Sequence, residues 1–225
     1  MMRLWYRFRQ LVRRAAETPA AKSQPKASDP PVQGQEGEFR LIVGLGNPGA
    51  KYEGTRHNAG FWFIEELLRR HGGELRLEKK FSGVTGRVNI DGYTCRLLEP
   101  TTFMNHSGNS IGAMANYYNI PVQSILVAHD ELDLPPGTVR IKRGGGHGGH
   151  KGLRHTQATL GSAEFARVRI GVGHPGHRDG VVSHVLSQPS KAERRQLEVA
   201  VEEAAEVLPW LLAGDWDRAC RQLHG

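Results

Sequence analysis

Two short runs, FRLIVG at 39–44 and SILVAH at 124–129, are apolar at nearly every position rather than at every second one. A strand that is apolar on both sides must be covered on both sides, so it belongs inside a sheet packed between helices. The segments between supply those helices. At 59–70, Phe61, Ile64, Leu67 and Leu68 share one helical face, and Gly72-Gly73 stops the helix. A late helix opens at Pro189-Ser190 and carries Leu197, Val201, Ala204 and Leu208 on one side. Further helices are expected at 107–119, with Ser107 as cap, at 153–160 and at 216–223. Strands are expected at 83–90, 93–99, 137–142 and 166–172, the first two joined by Asp91-Gly92, a two-residue hairpin signal. Helices alternating with strands, one hairpin included, give the α/β class: a single domain with a mixed twisted β-sheet flanked by helices on both faces.

Residues 1–38 stand outside that pattern. The segment MMRLWYRFRQLVRRAA holds five Arg and no acid. Leu4, Phe8 and Leu11 recur at helical spacing, and Trp5, Val12 and Ala15 widen the apolar face. Such a basic amphipathic helix suits contact with RNA or an anionic membrane surface, or a transit peptide. It is not a good secretory signal, because Arg interrupts every apolar stretch. Residues 17–38, rich in Pro, Ala, Ser, Gln and Glu, read as a disordered linker. The net charge of +7 is shared, with +3 in this extension and +4 in the body. A mildly basic body is compatible with a polyanionic partner without requiring one. Two cysteines, Cys95 and Cys220, have no ligand spacing and form no disulfide framework. No apolar run reaches the roughly 18–20 residues that span a bilayer. A cytoplasmic location is expected, or an organelle if residues 1–38 act as a transit peptide.

In open α/β sheets, ligands gather where loops leave the carboxyl ends of strands. Asn47, His57, Asn105, Asp130 and the loop 144–152 all follow strands, so they are expected to form one site. Three familiar chemistries fit poorly. Gly44, Gly46 and Gly49 match a dinucleotide fingerprint, but Pro48 and a polar loop stand where a helix must begin. His147 and His150, like His174 and His177, form H-x-x-H pairs in Gly/Pro loops, without helical spacing or a nearby carboxylate. A nucleophilic Ser or Cys has no support: the G-x-S-x-G match at 108–112 falls inside the expected helix 107–119 rather than at a strand-to-helix turn, and neither Cys has a catalytic context. No cofactor and no metal are therefore expected. What remains is a general base acting on water. His57 sits in a polar loop before a helix, and a carboxylate holding one ring nitrogen would make the other a base. Asp130, at the end of an apolar strand, is the candidate; its neighbour Asp133 suits the turn at 134–137. Asn47 and Asn105 can bind a carbonyl and a peptide backbone, although each alone also suits a turn.

Taken together, the motifs LIVGLGNPG at 41–49, Tyr52, TRHNAG at 55–60, PTTFMN at 100–105, LVAHDELDLPP at 126–136, the loop 144–152 and RVRIG at 167–171 resemble the bacterial peptidyl-tRNA hydrolase family. The resemblance runs from about residue 40 to about residue 224 and leaves out only the extension. It implies a monomeric, metal-independent enzyme with its catalytic domain at 39–225, hydrolysing the ester between a peptide and the 3′ end of tRNA. It implies His57 as base, polarised by Asp130. Asn47 would hold substrate near the base, Asn105 and Phe103 belong to the peptide-binding motif, and Tyr52 stands at the entrance near the tRNA end. Lys142 and Arg169 match residues that grip the tRNA 5′-phosphate, a role suited to Lys and forked Arg donors. One position departs. The family usually reads G-G-H-N-G, whereas Lys151 follows Gly148-Gly149-His150 here. Lys151 is kept as a substrate-binding residue: an ammonium donates to phosphate or carbonyl oxygen but accepts nothing. The second reading is an RNA-binding protein on the same fold with reduced catalysis. A third, a cofactor-dependent α/β enzyme, rests only on the glycine pattern.

Overall fold

The computed structural model describes residues 37–224; the amphipathic helix and most of the linker read from the sequence lie outside the described residues. Seven strands form one sheet: β1 (Leu41–Gly44), β2 (Arg76–Glu78), β3 (Gly83–Ile90), β4 (Tyr93–Pro100), β5 (Ile125–Glu131), β6 (Val139–Arg143) and β7 (Ala166–Gly171). Their order is β2-β3-β4-β1-β5-β7-β6. The inner four, β4, β1, β5 and β7, run parallel, and the outer pairings are antiparallel. Seven α-helices are described: α1 (Ala59–His71), α2 (Ser107–Tyr117), α3 (Lys151–Leu160), α4 (Val181–Val185), α5 (Lys191–Glu206), α6 (Leu208–Leu212) and α7 (Trp216–His224).

The sheet divides the core in two. Ile42, Leu97 and Leu126 point to the side covered by α1 and α5, while Leu41, Val43, Leu98 and Val127 point to the side covered by α2 and α3. Successive side chains of a strand face opposite ways, so runs such as 41–43 and 125–128 must be apolar throughout. From β1 the chain proceeds to β4 on one side and then returns to β5 on the other. The carboxyl ends of β1, β4 and β5 therefore open a crevice where the winding reverses.

Two glycines set how closely α1 approaches that crevice. A Cβ on Gly60 would fall 2.4 Å from both the Ala128 carbonyl oxygen and the Leu45 nitrogen; one on Gly44 would fall 2.3 Å from the Gly60 oxygen. Only glycine allows the start of α1 to lie against the ends of β1 and β5. The residues just before α1 are thereby brought to the rim of β5.

Several expectations need correction. Ser107 is the first residue of α2, not its cap: its hydroxyl donates to the Met104 carbonyl at 2.9 Å, and the Gly108 N–H is met instead by His155 Nδ1 at 3.0 Å. Strand β5 runs on to Glu131, so Asp130 lies within it. Helix α3 begins at Lys151, two residues early, because His150 caps it. Leu208 belongs to a separate short helix, since Pro209 cannot donate the hydrogen bond that would continue α5. Strand β2 and helix α4 were not anticipated. The opening of the late helix is as read, with Ser190 and Glu193 forming a reciprocal capping box.

Candidate functional site

Asn47 ties three loops together. Its backbone N–H donates to Asn58 Oδ1 at 2.9 Å, and Asn58 Nδ2 returns a bond to the Asn47 carbonyl at 3.0 Å. This exchange joins the loop after β1 to the turn that carries His57. The Met104 N–H donates to Asn47 Oδ1 at 2.9 Å, which joins the loop after β4 to the same point. With its oxygen committed, the Asn47 side chain offers the pocket only its NH₂ donors. Behind His57, buried Arg56 grips the C-terminal part of the chain through Ser187 Oγ at 2.7 Å and Glu193 Oε1 at 3.0 Å.

His57 and Asp130 meet as expected. His57 Nδ1 lies 2.9 and 3.0 Å from the two carboxylate oxygens, and the Asp130 side chain is only 1% exposed. An ionised carboxylate accepts only, so Nδ1 carries the proton and Nε2 keeps its lone pair. Burial opposes the charged form of His57, yet the charge of Asp130 and its hydrogen bond raise the imidazole pKa above its ordinary value; Lys151 pulls it back down. Burial likewise disfavours the Asp130 charge, but His57 and His150 hold the carboxyl well below the usual range.

Sequence reasoning gave His150 no role of its own, meeting it only in an H-x-x-H pair and in the glycine loop motif at 144–152. Its Nδ1 accepts from the Gly152 and Leu153 N–H groups at 3.1 and 3.2 Å, capping α3. The ring proton therefore sits on Nε2, which donates to Asp130 Oδ1 at 3.0 Å. Asp130 is held by an imidazole on either side, one from before α1 and one from before α3. His129 forms the floor: its Nδ1 donates to the Asp130 backbone oxygen at 2.7 Å, and burial with His150 nearby pushes its pKa down to about 3.

Asn47, His57, Phe103, Asn105, Asp130 and Lys151 all line one open cavity of about 920 Å³. Val181, Val182, Val185, Leu186 and Leu132 form an apolar wall, with His174, His177 and Arg178 close by. Phe103 is 57% exposed, and Tyr52 stands edge-on to it at 6.5 Å between ring centres, beside the cavity rather than within its lining. Lys142 and Arg169 are outside the lining too. They lie on the adjacent strands β6 and β7, and Arg169 Nε is bound to Glu131 at 2.8 Å.

The donor atoms of His57, Asp130 and His150 fall within 4.8 Å of one another, a separation a metal ion could bridge. The hydrogen bonding argues against that use. A metal on His150 Nε2 would require the proton on Nδ1, where two backbone N–H groups already point. The glycine fingerprint also has another purpose. Among the described residues no α-helix begins before Ala59, and a Cβ at Gly46 would press on the Phe61 ring at 2.8 Å. These glycines serve helix packing rather than a pyrophosphate. Cys95 is fully buried, and burial pushes its thiol up to about 12, so it is no nucleophile.

Fold and site together define an α/β enzyme cleft built around an imidazole–carboxylate pair at the switch point of the sheet. Known proteins narrow the class. The peptidyl-tRNA hydrolase family matches residues 41–225. A peptidyl-tRNA hydrolase of Halorhodospira halophila is 69% identical over 193 residues, covering 86% of this chain and all of the relative. One of Alkalilimnicola ehrlichii is 58% identical over 187 residues, covering 83% of this chain and 95% of the relative. The crystal structure of peptidyl-tRNA hydrolase from Acinetobacter baumannii superposes with a TM-score of 0.81 at 45% identity, covering 84% of this chain and 96% of that one. The chain belongs to the peptidyl-tRNA hydrolase family.

Proposed function

We propose that this chain hydrolyses the ester joining a peptide to the 3′ end of tRNA, releasing both, with His57 as the base that activates water. The observation that carries this reading is the bond from His57 Nδ1 to both oxygens of buried Asp130, which leaves Nε2 as an acceptor in a cavity large enough for substrate. Water gives its proton to Nε2 as its oxygen attacks the ester carbonyl. The oxyanion so formed is met by donors: the Asn47 NH₂ group, the Asn105 amide and the Lys151 ammonium all line the cavity. Collapse breaks the bond to the ribose oxygen, which takes the proton back from His57, and the peptide leaves as a carboxylic acid. The Asp130 charge stabilises the imidazolium between the two transfers.

Phe103, exposed in the cavity lining, and half-buried Tyr52 beside the cavity would take the tRNA end. Lys142 and Arg169 lie on neighbouring strands and would take the 5′-phosphate; Glu131, which holds Arg169, also lines the cavity and so links the two regions. In this reading residues 39–225 are the catalytic domain of a monomeric cytoplasmic enzyme. No helix among the described residues is long and apolar enough to cross a membrane.

The test is release of the acyl group from N-acetylaminoacyl-tRNA by protein kept in chelator, with His57→Ala alongside. Turnover is expected to fall by about 10²–10⁴-fold, with tRNA affinity within about twofold. A loss of only a few-fold would remove His57 as the base. Tight tRNA binding without release by the unaltered protein would favour the RNA-binding reading.

A further inference from the structure

Arg167 is 3% exposed, on β7, and the mechanism above does not use it. Its Nη1 donates to the Gly146 carbonyl at 2.6 Å and its Nη2 to the Gly145 carbonyl. Nε is buried and has no hydrogen-bond partner. A buried guanidinium is costly to desolvate, and burial lowers its pKa here. The two carbonyls it holds belong to the loop between β6 and α3, at 144–150.

That loop has little else to fix it. Gly144, Gly145, Gly148 and Gly149 all adopt positive φ. A Cβ on Gly146, Gly148 or Gly149 would meet nothing within 4 Å, so the backbone there is not packed against the core. Glycine loses the most backbone freedom on ordering, so such a loop is held by its hydrogen bonds. Besides Arg167, Gln157 Nε2 donates to the Gly145 carbonyl at 2.8 Å and the Gly144 N–H donates to the Phe165 carbonyl at 3.1 Å. Further along, the His150 N–H donates to the His147 carbonyl at 2.9 Å, and His150 Nε2 reaches Asp130. The connection starts and ends on the sheet: Arg167 pairs with Val127 of β5, three residues before Asp130.

We propose that Arg167 is a positioning residue for hydrolysis: it fastens the glycine loop to the sheet so that His150 stays bonded to Asp130 and keeps that carboxylate aimed at His57. The proposal rests on the assignment of His57 and Asp130 given above. A planar fork spanning two successive carbonyls suits the task, and an ammonium cannot reproduce that geometry.

The test is a double-mutant cycle in single-turnover acyl release, using Arg167→Met, His150→Phe and the pair, with Arg167→Lys as a milder variant. Arg167→Met is expected to lower the rate about tenfold to a hundredfold, with tRNA affinity within about twofold. In the His150→Phe background the same change is expected to cost less than about twofold, because the contact it supports is already gone. Arg167→Lys should show a smaller loss that also vanishes in that background. A readout insensitive to general loosening is the acid limb of the pH–rate profile. Without the His150 bond the Asp130 carboxylate is no longer held on His57 and raises that imidazole's pKa less, so Arg167→Met and His150→Phe should both move the limb to lower pH. Losses that multiply in the double variant, or a limb that stays in place, would overturn the proposal. If Arg167→Met does not fold, judged by circular dichroism, Arg167→Lys carries the same cycle. Failure of the underlying assignment would look different: His57→Ala would keep its turnover whatever the cycle gave.

Discussion

Replacing Asp130 by asparagine removes one charge at almost constant volume, so its effect can be read as electrostatics and hydrogen bonding. In the native site Oδ1 accepts from both His57 Nδ1 at 2.9 Å and His150 Nε2 at 3.0 Å, while Oδ2 lies 3.0 Å from His57 Nδ1. An amide oxygen placed at Oδ1 preserves both bonds but puts an NH₂ donor 3.0 Å from His57 Nδ1. That donor favours the other tautomer, in which Nδ1 accepts and Nε2 carries the proton and cannot act as base. In the fraction with the correct tautomer, the imidazolium forming in a buried site has lost its counter-charge. The comparable change in a serine-protease triad costs about 10⁴-fold. We therefore expect single-turnover acyl release to fall by about 10³–10⁴, or about 4–5.5 kcal/mol of barrier. The pH profile supplies a sign. The Asp130 charge and hydrogen bond raise the His57 pKa, and burial and Lys151 lower it. With Asp130 gone only the lowering effects remain, so the acid limb of kcat/KM should move to lower pH. A loss below about tenfold, or a limb that does not move, would refute this reasoning.

Other outcomes follow from the same geometry. Lys151→Gln removes a positive charge that lowers the His57 pKa, so the acid limb should move to higher pH; no movement would show that Lys151 is not felt at the base. Gly60→Ala places a methyl group 2.4 Å from two backbone atoms, which cannot yield as a side-chain tip can. It should destabilise the fold by about 3 kcal/mol or more in denaturant titration, and a near-neutral result would contradict the close packing of α1. Lys142→Ala and Arg169→Ala should each weaken tRNA binding and reduce the slope of log affinity against log salt by about one. An unchanged slope would remove either residue from the phosphate grip.

What the sequence reveals depends on how local the cause is. Strands β1 and β5 are legible because burial on both faces forces apolar residues at successive positions. The hairpin is legible because Asp91 and Gly92 both take positive φ, at 49° and 90°, the conformation a tight two-residue turn needs. The pairing of His57 with Asp130 could be expected because the one comes in the connection after an apolar strand and the other at the end of an apolar run, and the family likeness names the same two residues. His150 was hidden for the opposite reason. Its partner carboxylate is twenty positions away on β5, and its role as the α3 cap depends on where that helix begins. Arg167 showed itself only as part of a motif, because the carbonyls it holds carry no side-chain signal. The reciprocal bonds between Asn47 and Asn58 are equally silent, since each asparagine alone suits a turn. Helix α6 and strand β2 are too short to display a period.

The central claim is that the His57 imidazole, held by Asp130, is the group whose ionisation switches activity on. Nitrogen-detected NMR can follow the tautomer and titration of His57 in the intact protein, for comparison with the pH dependence of kcat/KM on N-acetylaminoacyl-tRNA. The account predicts a proton on Nδ1, a bare Nε2, and a midpoint above the ordinary imidazole value of about 6.5 that coincides with the acid limb of the rate profile. A proton on Nε2, or a His57 midpoint well separated from that limb, would contradict it.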